Sequence, residues 1–274
     1  MIIVKWNFKN KSALITGGAS GIGRQIALDM ATSGANVAII DVAEDLGNKT
    51  CGEIDAKGPG KALFFKASVS DKVAIDDVVA KTVAEFGDID FLVNCAGVLR
   101  DFLISRFDEK KWDFTVDVNL KGVAVCTQAV ATHWVGKSKE TAKEKGEKYL
   151  PTLENPPRVM VNIASMAADG NMGQLAYSAT KAGVIGITLT AAKELNRYNV
   201  RAHAVKPTLI DTPIIGDLLE KNEGKFKKMY ENRIPFGIGK TSYVSDVVCF
   251  LCSEGGYFMN GCVIPINGGK LGGL

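Results

Sequence analysis

Short, nearly continuous apolar segments alternate along the chain with longer segments whose apolar residues recur at helical spacing. The short runs are typical of strands buried on both faces, and the longer segments are typical of amphipathic helices. Strands that alternate with helices indicate an α/β fold with a doubly wound parallel sheet. We find no internal repeat or linker, so we expect residues 1–274 to form a single domain. The pattern predicts seven strands, at about residues 11–16, 35–40, 62–67, 89–94, 158–163, 200–205 and 263–266.

A glycine-rich turn joins the first predicted strand to the first predicted helix. Residues 17–23 read Gly-Gly-Ala-Ser-Gly-Ile-Gly, and Ile22, Ile26 and Met30 then recur at helical spacing. Glycines permit a tight turn and a close approach of the backbone to a pyrophosphate, whose charge the helix N-terminus favours. A glycine cluster alone is a weak signal, but a strand before it and a helix after it support the interpretation. The turn therefore predicts a dinucleotide site in a Rossmann fold.

An acidic residue ends the second predicted strand. Asp41 lies 18 residues after Gly23, close to the ~20-residue offset expected for the acid that binds the adenosine ribose. A carboxylate there accepts hydrogen bonds from the ribose hydroxyls and repels a 2′-phosphate, and no arginine follows in residues 42–45. We therefore expect NAD rather than NADP as the cofactor. A helix N-cap is the alternative role for Asp41.

Tyr177 and Lys181 lie four residues apart, and Ser165 lies twelve residues before the tyrosine. Residues four apart share one face of a helix. A phenol has an ordinary pKa of about 10, and we expect the neighbouring ammonium to favour the phenolate and lower that pKa. The serine hydroxyl would hold the oxygen on which the proton is exchanged. The alternative is an ordinary tyrosine and lysine on a helix surface.

The order of these motifs resembles that of the short-chain dehydrogenase/reductase family. The resemblance covers almost the entire chain, from about Phe8 to Gly269, and residues 94–122 are most similar to the 3-oxoacyl reductase branch. It implies a Rossmann fold and an NAD-dependent enzyme that interconverts a secondary alcohol and a ketone. The motifs that carry it are Thr16-Gly17-x-x-x-Gly21-x-Gly23, Asp41, Asn94-Cys95-Ala96-Gly97, Asn119, Ser165, Tyr177-x-x-x-Lys181 and Pro207.

The resemblance implies a role for each matching position. Tyr177 would be the general acid/base, and Lys181 would lower its pKa and bind the nicotinamide ribose. Ser165 would orient the substrate oxygen, and Asn119 would anchor a water that links the lysine to solvent. The implied cofactor contacts are Gly17, Ser20, Gly21, Ile22, Gly23, Asp41, Val69, Asn94, Ala96, Gly97, Tyr177, Lys181, Pro207, Ile210 and Thr212, of which Ile210 and Thr212 would hold the carboxamide.

Several positions depart from the family pattern. Cys95 replaces the second asparagine of Asn-Asn-Ala-Gly. Ser68 replaces the acid that often contacts the adenine, so that contact would run through the backbone of Val69. Thr208 follows Pro207 where glycine is usual, and the spacing from Ser165 to Tyr177 is one residue shorter than usual. We therefore expect the nicotinamide end of the site to differ from that of its relatives.

Two polar segments interrupt the pattern of buried strands and amphipathic helices, and one of them suggests an alternative substrate. We expect a solvated insertion at about residues 137–157 and a substrate lid at about residues 211–233. Cations in the lid would suit a 3-oxoacyl thioester on CoA or a carrier protein, which is the first alternative function. A dinucleotide sensor without catalysis is the second. The lid cations are Lys221, Lys225, Lys227, Lys228 and Arg233.

The composition limits the partners. Net charge is +3, from 33 basic and 30 acidic residues, a balance that does not indicate a nucleic-acid partner. The apolar stretch in residues 1–8 is too short for the core and cleavage site of a signal peptide. No apolar run is long enough to span a membrane, so we expect a cytoplasmic protein. The family resemblance implies a homotetramer or homodimer. Cys249 and Cys252 have CxxC spacing, but we expect buried thiols rather than a metal site, and we expect His203 to be structural.

Overall fold

A computed structural model describes residues 6–146, 157–220, 228 and 232–270. Its seven strands form one sheet in the order β3-β2-β1-β4-β5-β6-β7, and every neighbouring pair is parallel. The predicted doubly wound parallel sheet is therefore confirmed. The strands are Ser12–Thr16 (β1), Asn36–Asp41 (β2), Ala62–Lys66 (β3), Phe91–Asn94 (β4), Arg158–Ile163 (β5), Val200–Pro207 (β6) and Val263–Ile266 (β7).

Helices connect successive strands and cover both faces of the sheet. On one face α1, α2 and α8 pack against the strands, and on the other α3, α5 and α6 do so. Adjacent residues of β1 show both layers, because Ile15 packs into the first and Leu14 into the second. The helices are Gly21–Thr32 (α1), Glu44–Lys57 (α2), Lys72–Phe86 (α3), Glu109–Val116 (α4), Gly122–Lys145 (α5), Leu175–Leu195 (α6), Pro213–Glu220 (α7) and Thr241–Cys252 (α8).

Parts of both polar segments are helical where the structure describes them. Residues 137–145, the start of the expected insertion, continue α5 as a surface helix that keeps its polar face in water. Residues 147–156 lie outside the described residues. In the expected lid, α7 spans Pro213–Glu220, and Lys221, Lys225 and Lys227 lie outside the described residues.

Cys249 and Cys252 are free thiols buried in α8, as the sequence predicts. In the described ranges, no group of three or more His, Cys, Asp or Glu residues is arranged to hold a metal ion. Within the same ranges, no helix combines the length and the hydropathy required to cross a bilayer.

A buried arginine and histidine join β6 to α8 and the turn after it. Arg201 donates to His203 Nε2 at 3.0 Å, to the carbonyl oxygen of Leu251 at 2.7 Å and to that of Gly256 at 2.8 Å. Burial, and then the adjacent guanidinium, lower the pKa of His203 to about 4. The histidine is therefore neutral at pH 7 and belongs to the core, which fits its expected structural role.

We predict that His203 makes the protein less stable in acid. Because its pKa lies near 4 in the folded protein and at the ordinary 6.5 in the unfolded chain, the unfolded chain binds the extra proton as pH falls from 6.5 towards 4. The free energy of unfolding should fall across this window. In His203→Gln it should fall less steeply, as measured by urea unfolding at each pH. Parallel curves for the two proteins would contradict the assignment.

Candidate active site

The carboxyl ends of β1, β2, β4, β5 and β6 border one cleft of about 500 Å³. A ligand site at this edge is expected where the strand order reverses, here between β1 and β4. Most of the residues that the sequence singled out line this cleft. They are Gly17, Ser20, Gly21, Ile22, Gly23, Asp41, Val69, Ala96, Gly97, Ser165, Tyr177, Lys181, Pro207, Ile210 and Thr212.

Two of the residues singled out lie behind the wall of the cleft. Asn94 is buried and its amide donates to Asn162 Oδ1 at 2.8 Å. Asn119 is buried in a π-helical turn, Asp117–Lys121, between α4 and α5. Its side chain accepts from the backbone amide of Val98 at 2.7 Å and donates to the Val98 carbonyl oxygen at 2.9 Å. In this structure the Asn119 amide therefore holds the turn that carries Gly97, and its role as a water anchor stays a prediction.

Close backbone contacts explain the glycines of the first turn. Gly17 has φ +67°, and a Cβ atom on it would lie 2.8 Å from the backbone of Ala96. A Cβ atom on Gly23 would lie 2.2 Å from the carbonyl oxygen of Gly17. The Thr16 hydroxyl accepts from the backbone amides of Cys95 and Ala96, both at 3.0 Å. These contacts join the ends of β1 and β4 into one cradle whose backbone faces the cleft.

Asp41 supplies the single carboxylate among the described residues that line the cleft, and Lys181 supplies the single cation. The carboxylate accepts from the backbone amides of Ala19 at 3.1 Å and Ala43 at 3.0 Å. These two bonds orient the Asp41 side chain and leave lone pairs on both oxygens. Nearby, Lys66 on β3 is paired with Glu44 at 2.8 Å. The cleft is therefore negative at the end of β2.

Lys181 is buried one turn after Tyr177 on α6. Its ammonium donates to the carbonyl oxygen of Ile163, the last residue of β5, at 2.7 Å, and lies 5.7 Å from the centroid of the tyrosine ring. Burial lowers the lysine pKa to about 8. Ser165 lies two residues beyond the same strand end and forms a hydrogen bond with Tyr177. The structure therefore brings the three side chains together at the end of β5.

Burial outweighs the other influences on the tyrosine pKa in this structure, and the expected lowering of that pKa by Lys181 stays a prediction. Burial raises the pKa of Tyr177 to about 12, although the hydrogen bond from Ser165 acts in the opposite direction. The ammonium is directed to the Ile163 carbonyl oxygen rather than to the phenol. A buried phenolate is costly without a close positive charge, so the tyrosine is neutral here and is placed to donate a proton.

Sequence reasoning missed two polar residues beside Tyr177. Gln174 lines the cleft, donates to Asp101 Oδ2 at 3.4 Å and accepts from Asn171 at 2.8 Å. Burial raises the pKa of Asp101. The signal available in the sequence was the position of Gln174 three residues before Tyr177. It immediately precedes the first residue of α6, at the same end of the helix as the phenol.

An ion pair ties the loop after Ser165 to the end of β6. The Lys206 ammonium donates to both carboxylate oxygens of Asp169 at 2.7 Å. Asp169 is the last residue of a short 3₁₀ helix, Met166–Asp169, for which Ser165 is the N-cap. The next residues after Lys206 are Pro207 and Thr208, which line the cleft. The pair therefore fixes the shortened loop against the end of β6, where Thr208 departs from the family pattern.

Comparisons with known proteins agree with this architecture. The family model described as short chain dehydrogenase matches residues 11–223. The chain is 38% identical to the BbsD subunit of (2S)-[(R)-hydroxy(phenyl)methyl]succinyl-CoA dehydrogenase from Thauera aromatica, over 96% of this chain and 97% of that protein. It is also 38% identical to the 3-oxoacyl-[acyl-carrier-protein] reductase FabG from Thermotoga maritima, over 95% and 98% of the two chains.

Among solved structures, the chain is similar to 3-ketoacyl-(acyl-carrier-protein) reductase from Brucella melitensis complexed with NADH. The two share 27% sequence identity and superpose with a TM-score of 0.80, over 96% of this chain and 99% of that chain. The similarity therefore extends over the whole sheet and both helix layers.

Proposed function

The chain belongs to the short chain dehydrogenase family, and from this premise we propose that it is an NAD-dependent oxidoreductase acting on a 3-hydroxyacyl thioester. The substrate is a secondary alcohol and the product is the 3-oxoacyl thioester, a ketone at the same carbon. The observation that carries the proposal is the meeting of Ser165, Tyr177 and Lys181 in the cleft that the glycine turn borders.

Each of the three side chains has one task in the reaction. The Ser165 hydroxyl hydrogen-bonds the substrate oxygen and holds it beside the phenol. In reduction Tyr177 donates its proton to that oxygen, and in oxidation its phenolate removes the proton. The Lys181 ammonium stabilises the phenolate, which burial alone disfavours. The nicotinamide, when bound, supplies or accepts the hydride.

The residues of the cleft fit a dinucleotide. Gly17 and Gly23 leave no room for a Cβ atom against neighbouring backbone, so they let the turn close tightly at the N-terminus of α1, an end that favours a pyrophosphate. Asp41 lies at the end of β2 with free lone pairs for the ribose hydroxyls. The other residues that would hold the cofactor are Ser20, Gly21, Ile22, Val69, Ala96, Gly97, Pro207, Ile210 and Thr212.

The charges around Asp41 favour NAD over NADP. A 2′-phosphate on the adenosine ribose would meet the carboxylate directly, and like charges in contact cost several kcal/mol. Two nearby cations have partners of their own, since Arg24 pairs with Glu53 and Lys66 pairs with Glu44. Neither residue lines the cleft.

The thioester is supported by the names of the relatives. One acts on a hydroxylated acyl-CoA and the other on a 3-oxoacyl group carried by a protein. Both names describe an acyl thioester that carries a hydroxyl or an oxo group. We therefore propose the CoA ester of a 3-hydroxy acid, rather than a simple alcohol, as the substrate. A dinucleotide sensor without catalysis has no support from the three side chains that meet here.

Location and assembly stay predictions. We expect a cytoplasmic protein, and a homotetramer or homodimer formed in part by α6. One side of this helix exposes small and apolar residues, among them Ala182, Gly186 and Leu189. Such a face suits close packing against a second copy of the chain.

We predict that the protein reduces NAD in the presence of 3-hydroxybutyryl-CoA, and that Tyr177→Phe loses this activity. General acid/base catalysis typically contributes about 10²- to 10⁴-fold, so kcat should fall by at least that factor. The Kd for NADH, measured by fluorescence, should change little, because the phenyl ring keeps the shape of the wall. Absorbance at the NADH wavelength measures turnover.

The matched control is Tyr243→Phe, which removes a hydroxyl from an exposed residue of α8 outside the cleft. Two further substrates are tested in the same assay, the N-acetylcysteamine thioester of 3-hydroxybutyrate and 2-butanol. Turnover of 2-butanol alone would overturn the thioester proposal. NADH binding without turnover of any substrate would favour the sensor, and normal kcat in Tyr177→Phe would refute the mechanism.

We predict that Asp41→Asn relaxes the cofactor preference. Removing the negative charge removes its repulsion of a 2′-phosphate, so the ratio of kcat/KM for NADP to that for NAD should rise about tenfold or more. Steady-state kinetics with both cofactors measure the ratio.

Asp45→Asn is the control for Asp41→Asn, because it removes the same charge from an exposed position of α2 that does not line the cleft. Its ratio should stay at the wild-type value. Equal kcat/KM for the two cofactors in the wild-type protein would refute the NAD preference.

A further inference from the structure

Thr208 carries an unsatisfied hydroxyl at the edge of the cleft. Among the described residues, five buried side-chain nitrogen or oxygen atoms have no hydrogen-bond partner, and one of them is Thr208 Oγ1. The other four belong to residues that do not line the cleft, whereas Thr208 lines it. A buried hydroxyl without a partner is unfavourable because it has lost its hydrogen bonds to water. A ligand that forms a hydrogen bond with this hydroxyl is therefore bound more tightly.

The backbone around Thr208 is held on both sides. Its amide donates to the carbonyl oxygen of Ile266 on β7 at 2.9 Å, and the amide of Gly239 donates to the carbonyl oxygen of Leu209 at 3.0 Å. Lys206, two residues before Thr208, is fixed by Asp169. The freedom that remains is rotation about the Cα–Cβ bond. Because the hydroxyl has no partner to lose, rotating it towards the cleft breaks no hydrogen bond.

The distance between Thr208 and Asp41 across the sheet indicates which part of a bound dinucleotide would lie beside Thr208. Asp41 ends β2 and Thr208 follows β6, and these strands are four spacings apart, roughly 19 Å at about 4.8 Å each. An extended dinucleotide bridges such a distance. With its adenosine ribose at Asp41, its nicotinamide lies at the β5 and β6 ends, where Ser165 and Tyr177 also lie.

We propose that the Thr208 hydroxyl binds the carboxamide group of the nicotinamide and so positions the ring beside Tyr177. This inference rests on the proposed function, because it requires a nicotinamide dinucleotide in the cleft. The carboxamide is the hydrogen-bonding group of the ring, with an oxygen that accepts and an NH₂ that donates. A hydroxyl both donates and accepts, so it satisfies either end. The glycine usual at this position has no side chain to do so.

The test compares the affinities of Thr208→Val and Thr208→Ser for two ligands. Valine keeps the shape of threonine without the hydroxyl, and serine keeps the hydroxyl. Calorimetric titration uses NADH and, separately, ADP-ribose, which lacks the nicotinamide. We expect Thr208→Val to bind NADH about fivefold to tenfold more weakly, the loss of one neutral hydrogen bond. We expect its affinity for ADP-ribose to stay unchanged and Thr208→Ser to bind NADH like the wild-type protein.

Three results would overturn the inference. They are an unchanged NADH affinity in Thr208→Val, an equal loss for NADH and ADP-ribose, and an NADH affinity in Thr208→Ser as weak as that in Thr208→Val. The second would mean that valine disturbs the strand end rather than the nicotinamide contact. Each leaves the proposed function intact, provided that the wild-type protein binds NADH. Failure of the wild-type protein to bind NADH would overturn both.

Discussion

The site depends on one buried ammonium. The Lys181 side chain extends from α6 into the interior, and its ammonium donates to the carbonyl oxygen of Ile163 at the end of β5. This hydrogen bond joins the helix that carries Tyr177 to the strand that leads to Ser165. Burying a charge is costly unless it is paired, and its pKa near 8 reflects that cost.

The charge of Lys181 matters to the proposed chemistry because the Tyr177 phenol beside it is neutral and buried. Tyr177 is buried with a pKa near 12, which makes its phenolate depend on whatever positive charge is close. The β1–β4 cradle lies at one end of the cleft, and the Lys206–Asp169 pair fixes the other end. In our proposal, the residues for proton transfer and those for cofactor binding are therefore held by the ends of the strands of one sheet.

The sheet and most of the cleft could be predicted from the sequence, because a buried parallel strand leaves a continuous apolar run and a phosphate turn needs glycine at Gly17 and Gly23. The direction of the shift in the Tyr177 pKa could not, since it is set first by how deeply the fold buries the phenol. The end of α5 at Lys145 could not be located from the sequence, because a polar surface helix resembles a loop in composition. Thr208 was recognised as unusual, but only the structure shows that its hydroxyl has no partner.

Deuterium transfer tests the central claim most directly. 3-Hydroxybutyryl-CoA carrying deuterium on carbon 3 is incubated with the protein and NAD, and the reduced cofactor is analysed by mass spectrometry. The account predicts one deuterium in each molecule of reduced cofactor, because the hydride leaves carbon 3 while Tyr177 takes the hydroxyl proton. Reduced cofactor without deuterium, or 3-oxo product formed without reduced cofactor, would contradict it.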